Sequence, residues 1–157
     1  MTGASYLAEA QASAAAQPLV LLTGAAGRVA TLLRQQWGRR YRLRLADVRP
    51  VDAVAAHEEY QHVDVRRLAD LQAACAGVDT VVHLAADPTD GPFMESLLPL
   101  NIVSVYNAFE AAKQNGCRRI VWTSSIMAVK GRGPVPPIES SDAPHPHGLY
   151  GATKAWG

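Results

Sequence analysis

Leu19-Val20-Leu21-Leu22-Thr23-Gly24-Ala25-Ala26-Gly27-Arg28-Val29-Ala30 is the stretch that decides the fold. The apolar run Leu19 to Leu22 reads as a buried parallel strand, closed by the turn at Thr23-Gly24. From Val29 to Trp37 the spacing becomes helical, with Val29, Leu32, Leu33 and Trp37 on one face. Between strand and helix, Gly24 and Gly27 permit a tight turn and a close backbone approach to a pyrophosphate. N–H groups at the helix N-terminus can meet its charge. Ala30 stands where a third glycine would, and is small enough for close helix–strand packing. Gly24, Ala26, Gly27, Arg28 and Val29 are therefore candidate dinucleotide-binding residues. An ordinary βα turn is the alternative for this stretch taken alone.

Working outward, Tyr41, Leu43 and Leu45 alternate with Arg42 and Arg44, the period of a second strand ending at Asp47. A carboxylate 20 residues beyond Gly27 can accept hydrogen bonds from adenosine ribose hydroxyls and repels a 2′-phosphate, which favours NAD over NADP. Arg49 argues the other way, and a turn-capping role for Asp47 is the plain alternative. A weaker strand is expected around Tyr60 to Val63, a helix from Leu68 to Ala76, and a strand from Thr80 to Leu84. A long helical pattern covers Phe93 to Asn115 and stops at Gly116, with Pro99 marking a kink or a helix start inside it. Arg119 to Thr123 is the fifth strand.

Strands alternating with helices predict an α/β Rossmann-type doubly wound parallel sheet, a three-layer αβα sandwich over residues 18–157. Residues 1–17 are Ala-rich, carry Glu9 and no Lys or Arg, and read as a frayed tail or short helix rather than a secretory signal. Lys130 to Pro146 holds five prolines and two glycines, a loop of the length that usually has a function or is mobile.

Composition narrows the function. A net charge of +1 offers no electrostatic case for nucleic acid or an anionic membrane, and the arginines at 39, 40, 42, 44 and 49 read as solvated faces. No apolar run approaches the roughly 20 residues that span a bilayer. Cys75 and Cys117 have no paired spacing, and the five histidines show no ligand pattern, so no metal site is expected and a reducing cytoplasm fits. His83 reads as a satisfied core polar group, and Trp37, Trp122 and Trp156 as packing residues.

The chemistry lies near the end of the chain. In Tyr150-Gly151-Ala152-Thr153-Lys154, positions four apart share a helix face, so Lys154 can stand beside Tyr150. A neighbouring ammonium favours phenolate and turns a tyrosine into a usable base. Ser125, at the mouth of the fifth strand, could hold a substrate hydroxyl or carbonyl. A solvated helix face is the plain reading of a lone Tyr-x-x-x-Lys.

Thr-Gly-x-x-Gly-x-x-Ala, Asp47, Asp64-Val65, His83-Leu84-Ala85-Ala86, Asn101, Ser124-Ser125 and Tyr150…Lys154, in that order, resemble the extended short-chain dehydrogenase/reductases, the NAD-dependent epimerase/dehydratase family. Within it, Leu43-Arg44-Leu45-Ala46-Asp47, Asn101-Ile102…Tyr106-Asn107 and Leu149 to Ala155 are most similar to uronate dehydrogenase-type members. The resemblance implies Ser125, Tyr150 and Lys154 as catalytic residues, with Tyr150 and Lys154 also at the cofactor and Lys154 on the nicotinamide ribose. It sets Asp64 and Val65 against adenine, and Leu84, Ala85 and Ala86 along the cofactor cleft. Asn101 falls in a water network behind the active site. It implies an NAD-dependent dehydrogenase of a sugar or sugar-acid hydroxyl, and a homodimer packed through the helix that carries Tyr150. A nucleotide-sugar epimerase or dehydratase, and a non-catalytic NAD-binding fragment, are the alternatives.

Two departures shape the expectation. Ile126 and Met127 stand where uronate dehydrogenases follow the catalytic serine with Asn and His, so the substrate pocket reads as less polar. Gly157 comes seven residues after Tyr150, whereas family members continue with the rest of that helix, a sixth strand and a substrate-binding segment. The expected product is therefore a truncated domain lacking those parts.

Overall fold

In the computed structural model the described residues are 17–133 and 137–157. The tail expected at residues 1–17 lies, but for Gln17, outside them. Five parallel strands, β1 (Leu19–Thr23), β2 (Arg42–Asp47), β3 (Glu58–His62), β4 (Thr80–His83) and β5 (Arg119–Trp122), form one sheet in the order β3-β2-β1-β4-β5. Helices α1 (Arg28–Trp37), α2 (Leu68–Ala74), α3 (Ser104–Gln114) and α4 (Gly148–Trp156) complete the α/β fold.

The chain runs outward through β2 and β3 on one side of β1, then returns to build β4 and β5 on the other. Strand order therefore reverses between β1 and β4, whose register pairs Val20 with Thr80 and Thr23 with His83. Loops leaving the carboxyl ends of these two strands must diverge, which opens a crevice there.

Two cores flank the sheet because β1 and β4 present apolar residues to both faces. Leu21, Ala46 and Val81 pack on one side with Leu71 and Ala74 of α2 and Ala108 and Ala111 of α3. Val20, Leu22, Leu43, Leu45 and Val82 pack on the other with Ala30 of α1. The expected inner face of α1 needs correction. Val29 and Leu32 are 53% and 61% exposed, and the helix meets the sheet through Ala30, with Leu33 and Trp37 part-buried behind it. Ala30 is the contact because the glycine turn brings α1 too close to β1 for a larger side chain.

Two further expectations are corrected. Trp156 is 55% exposed rather than packed. Arg44 is not a solvated face: its guanidinium donates to Glu59 on β3 at 2.6 Å and to the Ala74 and Ala76 carbonyls at 2.7 and 2.8 Å. It thereby satisfies orphan carbonyls at the end of α2.

Residues Phe93–Val103 wind as a wide π-type helix that runs unbroken into α3. Pro99 lies inside it. Proline has no N–H to donate and crowds the preceding turn, and the wider winding relieves the crowding. The N–H of Ser104 accordingly reaches back five residues to the Pro99 carbonyl.

Candidate active site

Every candidate group sits at the carboxyl end of the sheet. After β1, Gly24 takes φ +68°, and a Cβ there would lie 2.8 Å from the Ala85 nitrogen. Glycine is thus required twice at this position, by the left-handed backbone and by contact with the loop that leaves β4. The Gly27 N–H donates to the Gly24 carbonyl at 2.9 Å and closes the turn. No side chain caps α1 and its first turn has no acidic residue, so its positive end is open to an anion.

Asp47 ends β2 and is buried. One carboxylate oxygen accepts from the Ala26 N–H at 3.0 Å, the other from the Arg49 N–H at 2.9 Å. The carboxylate therefore clamps the glycine turn to β2 through Ala26, and through the Arg49 N–H it also caps the turn after β2, as the plain alternative has it. Arg49 turns its Nε back to 3.6 Å from the same group.

A cleft of about 350 Å³ opens over these groups, lined by Gly24, Gly27, Asp47, Asp64, Val65, Leu84, Ala85 and Ala86. Eight of the candidate cofactor residues meet there, joined by Val48, Arg49, Val63, Arg66 and Leu100. Ala26 instead faces an adjoining hollow of about 590 Å³ with Thr31, Arg34 and His57, and Arg49 borders both. Arg28 and Val29 start α1 outside the cleft. The Asp64 carboxylate pairs with Arg66 at 2.7 Å, which holds it below the usual carboxylate range despite partial burial.

Lys154 and Tyr150 come together as their spacing implies. Lys154 is 5% exposed, and its ammonium donates to the Thr123 carbonyl at 2.9 Å. It lies 6.0 Å from the centre of the Tyr150 ring and 5.2 Å from that of Trp122. Burial pulls its pKa below the ordinary lysine value. Ser125 ends the segment after β5. Its hydroxyl oxygen accepts from the Met127 N–H at 3.2 Å, which leaves its own proton to give.

Asn101 is fully buried, and its side chain is spent on protein partners. Its Oδ1 accepts from the Asp87 N–H at 2.8 Å, and its Nδ2 donates to the Asp87 carbonyl at 2.9 Å and to Thr153 Oγ1 at 3.1 Å. It braces the loop after β4 against α4.

His83 lies beneath the site, between Thr23 Oγ1 at 2.8 Å and Ser104 Oγ at 3.2 Å. Ser104 gives its proton to the Leu100 carbonyl at 2.5 Å, so it accepts from His83 Nε2–H. The Thr23 hydroxyl then donates to Nδ1, which assigns a neutral tautomer. Burial, with Lys154 as a lesser cause, lowers the pKa of His83 to about 3.

Residues 20–157 match the family model for the NAD dependent epimerase/dehydratase family. The chain belongs to that family. Among its relatives, uronate dehydrogenase of Pseudomonas putida is 34% identical over 140 residues, covering 88% of this chain and 52% of the relative. Uronate dehydrogenase of Agrobacterium fabrum is 37% identical over 140 residues, with the same coverage. The crystal structure of a uronate dehydrogenase mutant from Agrobacterium tumefaciens complexed with NAD superposes with a TM-score of 0.80 at 33% identity, over 90% of this chain and 53% of that one. The chain thus spans about half the length of the curated relatives it matches.

The glycine turn, Asp47 and the Tyr150–Lys154 pair lie at one end of the sheet. Several contributors were not legible beforehand. Trp122 and the Thr123 carbonyl hold Lys154 from 32 and 31 residues away, and the Thr23–His83–Ser104 chain joins two strands and a helix. Such partners meet only when strands pair. Among the described residues, no group of three or more His, Cys, Asp or Glu gathers in a metal-ligating arrangement, and no helix is long and apolar enough to cross a membrane.

Proposed function

We propose that this chain forms the dinucleotide-binding and proton-transferring part of an NAD-dependent oxidoreductase. The reaction moves hydride between NAD and the hydroxyl-bearing carbon of a sugar or sugar acid. The observation that carries this reading is the buried Lys154 ammonium 6.0 Å from the Tyr150 ring, at the same sheet end as the glycine turn and Asp47.

The residues fit a dinucleotide. The Gly24–Gly27 turn and the open positive end of α1 suit a pyrophosphate, and Asp64, Val65, Leu84, Ala85 and Ala86 wall the cleft where adenosine would lie. Each Asp47 oxygen spends one acceptor position on an N–H and keeps another for a ribose hydroxyl. Its charge opposes a 2′-phosphate, which favours NAD over NADP. Arg49 is already turned toward that carboxylate.

When bound, NAD supplies an acceptor for the hydride that leaves the carbinol carbon. Tyr150 takes the proton of the substrate hydroxyl as that hydride departs. Ser125 donates to the same oxygen and fixes its direction. Lys154 stands beside Tyr150, 6.0 Å from its ring centre, and has donor positions left for the nicotinamide ribose.

The test is titration of the chain with NAD and NADP, followed by absorbance at the NADH band with uronates, aldoses and polyols. The expected result is tighter NAD binding and a turnover that Tyr150→Phe reduces by about 10²–10⁴-fold. NAD retained with substrate converted but no net NADH would instead support an epimerase or dehydratase. NAD binding without turnover, indifferent to Tyr150→Phe, would support a non-catalytic module.

The same reading places the protein in the cytoplasm and pairs it with a second copy of itself, with neither nucleic acid nor membrane as partner. Exposed Leu149 and Trp156 on α4, and exposed Tyr106 and Phe109 on α3, supply apolar surface for such a dimer.

A further inference from the structure

Helix α4 starts at Gly148 behind His147, whose side chain makes no capping bond. The residue at this position normally offers an oxygen to the second or third helical N–H. Here that oxygen comes from a distant loop. Asp90 Oδ1 accepts from the N–H of Tyr150, the third residue of the helix, at 2.7 Å across 60 residues of sequence. The carboxylate also faces the positive end of the helix. Gly148 makes room for it: with φ +71°, a Cβ there would lie 2.7 Å from both Asp90 oxygens and 3.0 Å from Cγ.

Asp90 belongs to the loop that leaves β4, whose first residues Leu84, Ala85 and Ala86 wall the cleft. The loop is held a second time through Asp87, bound at its N–H and carbonyl by Asn101. Asn101 in turn donates to Thr153 Oγ1, and the Thr153 hydroxyl donates to the Tyr150 carbonyl at 2.7 Å. Tyr150 is thus gripped at both ends of its own backbone, its N–H by Asp90 and its carbonyl through Thr153 and Asn101.

We propose that Asp90 is a positioning residue for Tyr150. It caps α4 in place of a local side chain and ties the register of the proton-transferring tyrosine to the wall of the dinucleotide cleft. This rests on the dehydrogenase reading for its catalytic consequence, while the cap itself can be read without turnover. The bond reaches the tyrosine backbone and not the cleft floor, so its loss falls on kcat rather than on NAD affinity.

The experiment compares the chain with Asp90→Ala and Asp90→Asn, using hydrogen exchange of the Tyr150 amide by NMR, NAD calorimetry, circular dichroism and steady-state kinetics with a turned-over sugar acid. In Asp90→Ala the Tyr150 amide should exchange about tenfold faster and kcat should fall about tenfold, with the KM for NAD within about twofold, the size of a lost cap. Asp90→Asn keeps an acceptor oxygen and should restore both to within about threefold of the parent. Unchanged Tyr150 exchange in Asp90→Ala overturns the proposal, as does a kcat loss that Asp90→Asn does not restore. If the parent binds NAD yet turns over nothing, the dehydrogenase reading fails, and the Tyr150 amide alone decides whether Asp90 is the cap.

Discussion

Asp47 accepts from the Ala26 and Arg49 N–H groups, so one carboxylate both faces the cleft and pins the glycine turn to the end of β2. The two roles respond differently to substitution. Asp47→Asn keeps one acceptor oxygen but loses the negative charge and one of the two backbone bonds. NAD affinity should fall about tenfold while the preference over NADP narrows by a similar factor, because hydrogen bonds to a charged acceptor contribute about 1.5–3 kcal/mol. Calorimetry with both nucleotides measures it, and an unchanged preference would remove Asp47 from discrimination. Lys154 makes the complementary point. Its place beside Tyr150 followed from four-residue spacing on a helix, but the Trp122 ring and the Thr123 carbonyl that hold it did not. Those partners lie on another element, and helical periodicity carries no information about what a helix packs against.

Among the elements, β1 and its turn were the most legible, since a short apolar run that ends in Thr-Gly before a helix leaves few other foldings. On α1 the contact at Ala30 and the packing of Leu33 and Trp37 agree with the sequence, whereas helical spacing alone wrongly turns the exposed Val29 and Leu32 inward. The close approach to Ala85 makes Gly24 the most sensitive position of the turn. In Gly24→Ala the methyl group would meet the Ala85 backbone at 2.8 Å with φ at +68°. The left-handed backbone alone costs about 1–2 kcal/mol, and moving Ala85 shifts the cleft wall. The expected outcome is a lower melting temperature together with loss of NAD binding at concentrations that saturate the parent. Retained binding would show that the turn adapts. Around Pro99 the sequence predicts a kink or a helix start, and the structure shows a wide winding instead. Proline signals that regular α-winding must yield, but not whether the chain breaks, bends or widens.

For the whole molecule, His83 joins both strands of the crevice to the helix behind them and couples stability to pH. Its pKa is lowered to about 3 in the folded protein by burial, with Lys154 adding to the effect, against about 6.5 in an unfolded chain. The unfolded state therefore binds the extra proton. This contribution is fully present above pH 6.5 and is lost as pH falls from 6.5 toward 3. Glu58, Asp64 and Asp79, held low by Arg34, Arg66 and Arg118, add losses only nearer their unfolded values around pH 4. Urea unfolding at stepped pH should show a slope approaching 1.4 kcal/mol per pH unit, roughly one proton, between pH 6 and 5. His83→Gln should flatten it. An equal slope in the variant would mean that His83 is protonated without penalty.

By itself the sequence determined the alternation of five strands with helices, the glycine turn, the carboxylate after the second strand and the tyrosine–lysine pair. These are local or periodic features, written within one element or one turn, and short-range sterics and burial suffice to read them. Tertiary structure alone decided that Asp47 clamps the turn, that Asn101 is spent on Asp87 and Thr153, that His83 is neutral between two hydroxyls, and that Asp90 caps the helix of Tyr150. Each of these joins groups 14 to 60 residues apart. Such bonds exist because parallel strands, which need a crossover between them, bring remote loops to one end of the sheet, where a buried polar group must find whatever partner the topology delivers.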